Sequence, residues 1–248
     1  MFPIRDHNPS NRVPYVTYAL MAINIVVFVS YWHLLDNPRA LNGFYIQYGF
    51  VPALLSEGVN IQAILTSMFL HGGWMHLAGN MLFLFIFGDN IEEELGHVGY
   101  LFFYILSGVA AALGQFAADP LSQVPMVGAS GAIAGVMGAY LLLFPKAKVD
   151  ILIILVIIFR IFPVPAWIML GFWFALQLIG GVGSVGDGGG VAYWAHAAGF
   201  IAGLVFIIPA WLKEGGRAFW ERTDGHPPHP EAKYRFAESS IPRAGRRR

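Results

Sequence analysis

The sequence predicts an all-α protein that crosses a lipid bilayer six times. Of its 248 residues, 56% are hydrophobic and 12% are charged, which is more apolar surface than a soluble domain of this length can keep from water. The apolar residues form runs long enough for membrane-spanning helices. The basic residues fall almost entirely between alternate runs, on one side of such a bundle. These observations predict a polytopic membrane protein.

Six apolar runs are the expected spans of a bundle that occupies residues 15–212, between an N-terminal segment (1–14) and a C-terminal tail (213–248). The expected spans are residues 15–32, 75–88, 100–118, 130–144, 166–180 and 191–212. No small-residue cleavage site follows the first run, so we expect it to remain in the protein as a helix.

Charge orients the bundle and excludes some classes of protein. An even number of spans places both termini on one side. If that side is the cytoplasm, Arg39 is the one outer residue among the 15 Lys and Arg, so the positive-inside rule predicts cytoplasmic termini. The net charge of zero argues against a nucleic-acid-binding protein. The absence of cysteine excludes disulfides, thiolate nucleophiles and Cys-based metal sites.

Three segments do not read as plain spans. Residues 33–70 are rich in Pro, Gly and aromatic residues, and we expect a long outer loop that lies partly in the membrane interface. Residues 149–162 are apolar and β-branched but too few to span, and they contain Arg160. We expect an interfacial or re-entrant segment there, with a seventh span that reverses the C-terminus as the alternative. The basic tail is expected to be disordered.

Polar side chains inside spans cost free energy unless they face a cavity or each other, and four of them are candidates for a functional site. His76 and Asn80 are four residues apart on one face of the second span, Ser130 begins the fourth, and His196 lies near the start of the sixth. These three spans run in the same direction. The four side chains are therefore expected at a similar depth below the outer surface.

Small residues at intervals of four predict that the fourth and sixth spans pack closely. They are Gly131, Gly135 and Ala139 on the fourth span and Ala195, Gly199 and Gly203 on the sixth. Close packing would bring Ser130 within hydrogen-bond reach of His196, whose imidazole can take the hydroxyl proton. The outer halves of the expected helices contain no acidic residue. The pair would therefore act as a dyad.

Other roles fit each of these residues taken alone. Ser130 could cap a helix or allow close packing, and His196 could be a core histidine or a proton relay. His76 and Asn80 could bond across helices. The residues alone leave two classes open. One is a serine hydrolase, and the other is a transporter or channel in which His76, Asn80 and His196 form a polar path.

Three motifs resemble those of the rhomboid family of intramembrane serine proteases, of the prokaryotic type. The matches are Gly128-Ala129-Ser130-Gly131 for GxSG, Ala195-His196-Ala197-Ala198-Gly199 with Gly203 for AHxxGxxxG, and His76-Leu77-Ala78-Gly79-Asn80 for HxxxN. GxSG alone is a weak signal, but the combination, in this order and on these spans, is specific. The similarity runs from about Tyr15 to Leu212.

The resemblance implies a six-helix rhomboid bundle with Ser130 as nucleophile and His196 as general base. It also implies an oxyanion hole made by the side chains of Asn80 and His76 with the backbone N–H of Ser130, and an accessory role for His71. Motif glycines are implied at Gly128, Gly131, Gly199 and Gly203. The expected substrates are single-span membrane proteins, cut in the bilayer near the outer end of their helix. No metal or cofactor is implied, and the expected location is a bacterial inner membrane.

The sequence departs from the family pattern at two places. The Trp-Arg pair found in the first loop of many members has no counterpart around residues 59–62. Position 134 is alanine, where some members have a tyrosine that stacks on the catalytic histidine, so the resemblance does not say what orients His196. A non-catalytic rhomboid-like protein that binds membrane helices is a further alternative. Neither the substrate nor the oligomeric state follows from the sequence.

Overall fold

The computed structural model describes residues 2–155, 158–183 and 191–234, and these fold into a helical bundle with a small sheet at one end. Two short 3₁₀ helices, Trp32–Asp36 and Ser67–Phe69, complete the helical part. The α-helices are α1 (Tyr15–Tyr31), α2 (Pro38–Tyr48), α3 (Pro52–Ser56), α4 (Ala63–Thr66), α5 (Trp74–Ala118), α6 (Ser130–Leu143), α7 (Ala166–Gly183), α8 (Tyr193–Phe206), α9 (Ile208–Lys213) and α10 (Arg217–Thr223).

Four helical segments in the described part of the chain are long and apolar enough to cross a membrane. They are Tyr15–Asp36, Trp74–Ala118, Ala166–Gly183 and Tyr193–Lys213, and the apolar helix Ser130–Leu143 is shorter. The expected second and third spans lie within the 45 residues of α5, which Gly96 interrupts with a φ of 68° and a ψ of 164°. Glycine adopts this left-handed backbone without steric cost. The protein is thus a polytopic helical membrane protein, and the number six stays a prediction.

A three-stranded antiparallel sheet corrects the all-α prediction. It includes most of residues 149–162, whose expected interfacial or re-entrant position stays a prediction. The strands, in sheet order, are β1 (Phe2–Asp6), β2 (Lys148–Leu155) and β3 (Ile158–Pro165). Lys148 pairs with Pro165, so the chain leaves and re-enters the bundle at the same level. The segment is a hairpin and not a seventh helical span. Its β-branched residues favour strands, and β1 supplies an additional partner.

The expected outer loop is largely helical. Helices α2, α3 and α4 lie within residues 33–70. Asn37 caps α2 by accepting a hydrogen bond from the Ala40 N–H at 3.2 Å, and prolines begin α2 and α3, where a missing N–H costs nothing. The prolines read as loop residues in the sequence therefore begin helices.

The first part of the C-terminal tail is ordered, unlike the expectation. Phe219 of α10 is 1% exposed, and the Trp220 indole N–H donates to the Leu142 carbonyl at 2.9 Å. The Lys148 ammonium lies 2.7 Å from the Glu231 carboxylate. These contacts fasten residues up to 234 to the end of α6 and to the sheet. Residues 235–248 of the expected disordered tail lie outside the described residues.

Helix α6 lies at the centre of the bundle and touches α8 through the glycines. A Cβ at Gly199 would overlap the Gly131 carbonyl oxygen, and a Cβ at Gly203 would overlap the Gly135 carbonyl oxygen. The expected contact between the two stripes of small residues is therefore present. Because both helices start at the same end of this contact, it fixes Ser130 relative to α8.

A buried carboxylate ties α1 to α5. The Glu92 carboxylate of α5 accepts hydrogen bonds from the backbone N–H groups of Val16 and Thr17, both at 2.8 Å, and from the Thr17 hydroxyl at 2.7 Å. These N–H groups belong to the first turn of α1 and have no acceptor within the helix. An anion at this position also complements the helix dipole. His97 lies 2.6 Å from the same carboxylate.

Candidate active site

A cavity of about 1040 Å³ opens among the first turns of α5, α6 and α8. Its walls carry apolar side chains together with a group of polar ones. Its polar lining includes His76, Asn80, Gln115, Ser130 and His196. The structure therefore brings the four residues singled out from the sequence to one cavity, as their common depth predicts.

Ser130 and His196 are hydrogen-bonded in this cavity. The Ser130 Oγ lies 2.7 Å from His196 Nε2, although the two residues are 66 positions apart in the chain. Ser130 is the first residue of α6, so its backbone N–H has no acceptor within the helix. Both side chains are half-buried. A hydroxyl bonded to an imidazole in this way can lose its proton to the ring and so be activated as a nucleophile.

Gly128 shapes the turn that leads into Ser130. Its φ is 135°, and a Cβ there would lie 2.9 Å from His76 Nε2 and 3.4 Å from Ser130 Oγ. Its N–H donates to the Ser67 carbonyl at 2.9 Å. Both the backbone conformation and the close approach favour glycine. His76 Nε2 and Ser130 Oγ therefore border the same small space.

His76 and Asn80 differ in how their polar atoms are used. The Gly72 N–H donates to His76 Nδ1 at 3.1 Å, so the neutral ring carries its proton on Nε2, the atom nearest Gly128. The Asn80 Nδ2 donates to the His76 carbonyl at 3.1 Å, within its own helix. One of the two Nδ2 hydrogens remains available to a further acceptor.

His71 lies behind His76 and is absent from the walls of the cavity. It is 0% exposed, and its ring centroid lies 5.2 Å from that of His76. The Tyr31 and Tyr45 hydroxyls each donate to the His71 carbonyl at 2.9 Å. His71 therefore packs against His76 and does not reach the Ser130–His196 pair.

Two glutamines at the site were missed in the sequence. Gln177 of α7 is 7% exposed, and its Oε1 lies 2.9 Å from His196 Nδ1. Gln115 of α5 accepts from the Ala195 N–H at 3.3 Å and so holds the start of α8. The signal was the same as for Asn80, an uncharged amide in or beside an apolar run.

Comparison with known proteins agrees with the motifs. The family model described as "Rhomboid domain" matches residues 58–213. The chain is 32% identical to "Rhomboid protein 1, mitochondrial" of Saccharomyces cerevisiae over 206 residues. These aligned residues cover 80% of this chain and 53% of the yeast protein. The chain is 31% identical over 201 residues to "Rhomboid protease GluP" of Bacillus subtilis, covering 76% and 36%.

Relatives named as inactive also match. "Inactive RHOMBOID-like protein 8" of Arabidopsis thaliana is 32% identical over 113 residues, which are 43% of this chain and 32% of that protein. The chain thus spans about half or less of the length of these curated relatives. The matched family model covers more than half of the chain and includes Ser130, His196, His76 and Asn80. This integral membrane protein belongs to the rhomboid family.

Proposed function

We propose that this chain is an intramembrane serine endopeptidase with a Ser130–His196 dyad. The observation that carries the proposal is the 2.7 Å hydrogen bond between Ser130 Oγ and His196 Nε2 in a cavity at the N-terminal ends of three helices. Membership of the rhomboid family, in which several relatives are named proteases, supports it. An inactive relative lies in the same family, so activity has to be measured.

The first chemical step follows from the positions of the two side chains. Ser130 Oγ attacks the carbonyl carbon of the scissile peptide bond while its proton passes to His196 Nε2. The resulting imidazolium gives this proton to the leaving amine, which departs and leaves an acyl group on Ser130. Water then attacks the acyl carbon with His196 again as base, and the carboxylic acid product leaves.

Three donors border the place where the oxyanion forms. The Ser130 N–H lies at the positive end of α6 and lacks an intrahelical acceptor. His76 Nε2 carries a proton and borders Gly128 and Ser130. Asn80 lines the same cavity. Donors fixed in advance near a developing negative charge stabilise the transition state in a site with little water.

We further propose that the substrates are single-span membrane proteins and that both termini of this chain are cytoplasmic, in a bacterial inner membrane. The active-site cavity then faces the outer half of the bilayer, and cleavage falls near the outer end of the substrate helix. The sheet and the ordered part of the tail lie at the opposite end of α6 from Ser130. Their basic residues support this orientation through the positive-inside rule.

Protease added to sealed right-side-out vesicles tests the orientation. The C-terminal tail should survive in intact vesicles and be cut after permeabilisation. A tail that is cut in intact vesicles would contradict the proposed orientation and leave the chemistry of the dyad untouched.

Cleavage of a single-span reporter protein in proteoliposomes tests the proposed function. The wild-type chain should cleave the reporter inside its helix, Ser130→Ala should not, and Ser30→Ala should cleave at the wild-type rate. Ser30 is a matched control, because it is a serine of α1 whose hydroxyl donates to the Val27 carbonyl at 2.6 Å, away from the cavity. Cleavage by Ser130→Ala, or a folded wild-type chain with no activity on any reporter, would contradict the proposal and favour a transporter or a non-catalytic helix-binding protein.

A further inference from the structure

We propose that Gln177 is a positioning residue that holds His196 in the tautomer able to accept the Ser130 proton. The inference deepens the proposed protease function and rests on it. The motif resemblance left open which group orients His196, because position 134 is alanine. The structure places the side-chain amide of Gln177, from α7, on the side of the imidazole opposite to Ser130.

The two ends of the Gln177 amide have different partners. Its Nε2 donates to the Trp173 carbonyl at 3.1 Å, one turn earlier on α7. This bond leaves the Oε1 facing His196 Nδ1 at 2.9 Å. The reversed amide would set its oxygen against the Trp173 carbonyl oxygen, and two acceptors cannot share a hydrogen bond. The backbone of α7 therefore determines which atom of Gln177 meets the histidine.

The protonation of His196 follows from this arrangement. A carbonyl oxygen only accepts hydrogen bonds, so the proton of the neutral imidazole must be on Nδ1. Nε2 then has a free lone pair, and it lies 2.7 Å from the Ser130 hydroxyl. With the proton on Nε2 instead, the ring would donate to Ser130 and could not act as its base. The Gln177 oxygen thus selects the reactive tautomer.

Packing keeps the ring in the plane that this bond requires. The ring of Trp173 lies against His196, with centroids 5.8 Å apart and an angle of 34° between the planes. The ring of Phe200, one turn after His196, also contacts Trp173 at 6.1 Å. The amide and the indole therefore restrict two different motions of the imidazole, rotation in its plane and tilting out of it.

A neutral amide suits this depth better than a carboxylate. A charged group buried in a span costs free energy that a buried amide with partners for both its oxygen and its nitrogen avoids. The amide supplies the tautomer and the orientation, and it stabilises the imidazolium less than an anion would. Within the described residues, the other titratable side chains that line the cavity are those of His76, Asp119 and Tyr193.

Two substitutions separate an acceptor at this position from mere packing. Gln177→Leu removes the acceptor at similar volume, and kcat should fall by about ten- to a hundredfold with KM little changed, less than the roughly 10⁴-fold loss when a carboxylate-oriented histidine takes the wrong tautomer. Gln177→Glu keeps an oxygen at Nδ1. It should restore most of kcat, since a protonated carboxyl can donate to the Trp173 carbonyl through its hydroxyl and accept from His196 Nδ1 through its other oxygen, as the amide does. To the extent that the introduced carboxyl ionises beside the imidazolium, it should also move the acid limb of kcat/KM to higher pH.

The control is Ile179→Ala, a substitution on the same helix at a side chain that is 69% exposed, which should leave kcat and the pH profile unchanged. An unchanged kcat and pH profile in Gln177→Leu would overturn the inference. Equal losses in Gln177→Leu and Gln177→Glu with lowered melting temperatures would also overturn it, since both would then report packing.

Nitrogen NMR of the His196 ring keeps this test independent of proteolysis. In the wild-type chain at neutral pH, Nδ1 should carry the proton and Nε2 should not, and Gln177→Leu should lose this preference. A wild-type ring protonated on Nε2 would overturn the inference even if the protein cleaves its substrate. A wild-type chain that shows the expected tautomer but cleaves nothing would contradict the protease proposal alone.

Discussion

The two ends of α6 lie in different chemical surroundings. At its N-terminal end, Ser130 bonds to His196, and Gln177 bonds to the other side of the same imidazole, so this chain of hydrogen bonds needs no charged group. At its C-terminal end, Tyr140 donates to Asp6 at 2.6 Å. Beside them is a set of ion pairs between β1, β2 and the tail, namely Arg5–Asp150, His7–Asp150 and Lys148–Glu231.

Two carboxyl groups at the charged end show what decides whether a buried carboxyl group is ionised. Burial raises the pKa of Asp6 to about 8, even though the hydrogen bond from Tyr140 opposes this. Burial also acts to raise the pKa of Asp150, but hydrogen bonds from His7 and Arg5 outweigh it and leave that pKa below its ordinary value. Of these two buried carboxyl groups, the one that stays charged is therefore the one that the Arg5 guanidinium and the His7 ring reach.

The comparison explains why the proposed catalytic end uses an amide. A carboxylate beside His196 would need a cation or many donors to stay ionised. In the part of the chain that the structure describes, the hydrogen-bond and ring partners of the imidazole are Ser130, Gln177 and Trp173. Neutral groups avoid that cost and still set the direction of each hydrogen bond.

The largest expected effect is at the neutral end, on removal of the base. His196→Ala should be as inactive as Ser130→Ala, with a loss of roughly 10⁴-fold or more in kcat, because nucleophile and base act as one unit. Rates of reporter cleavage in proteoliposomes give the comparison. If His196→Ala retains a tenth of wild-type activity, another residue is the base and the hydrogen bond to Ser130 has a different role.

A smaller loss of turnover is expected when one of the proposed oxyanion donors is removed. Asn80→Ala should fold and slow turnover by about a hundredfold, since one such donor contributes about 3 kcal/mol to the transition state. If Asn80 only bonds within its own helix, its loss should lower stability by about 1 kcal/mol and leave the rate per folded molecule unchanged. Turnover and melting temperature measured on the same purified variant separate these outcomes.

At the charged end, substitution of Asp6 and substitution of Asp150 should change the stability of the protein at pH 8 in opposite directions. Folded Asp6 holds its proton up to a pKa of about 8, whereas the ordinary value is 3.8. The unfolded chain releases this proton earlier, so the Asp6 contribution to stability falls as the pH rises from about 4 to about 8. Asp6→Asn keeps an oxygen for Tyr140 and should be more stable than wild type at pH 8. This difference should shrink towards pH 4.

Asp150→Asn is the matched control in the same sheet. Its lowered pKa contributes stability above the ordinary range of a carboxyl group, and this contribution is lost as the pH falls through the folded value. The substitution should therefore destabilise the protein at pH 8, by about 2 kcal/mol, since Arg5 and His7 lose a charged acceptor. The melting temperatures of both variants, measured in detergent at pH 4 and pH 8 and compared with wild type, test this prediction. If both substitutions change the melting temperature at pH 8 in the same direction, the proposed distinction between the two carboxyl groups is wrong.

The Ser130–His196 contact could be predicted because its cause is local in the sequence. Small residues at intervals of four on α6 and α8 specify a close approach, and both polar residues lie at the start of their helices. The role of Gln177 could not be predicted in the same way, because α7 and α8 meet through aromatic rings and two adjacent glycines, Gly180 and Gly181, and not through small residues at intervals of four. A search for every amide in an apolar run would have found Gln177 as a candidate.

The sheet was missed because its partners are distant in the chain. The side chains of Arg5 and Asp150 are in contact across 145 positions, and no periodicity within residues 149–162 shows that a strand at the N-terminus pairs with them. Read alone, an apolar β-branched segment next to a bilayer suits the interface equally well. The number of spanning helices is hard to read from the sequence for a similar reason. It depends on one residue, Gly96, whose backbone conformation divides α5.

Labelling with a serine-reactive fluorophosphonate, followed by mapping of the adduct, tests the central claim most directly. The proposed dyad predicts one adduct, on Ser130, in the folded detergent-solubilised protein. The adduct should disappear in Ser130→Ala, fall strongly in His196→Ala and persist in Ser30→Ala. The rate of labelling should also fall on acidification, because a protonated imidazole cannot accept the serine proton. An adduct on another residue, or a folded wild-type chain in which Ser130 stays unmodified, would contradict the account.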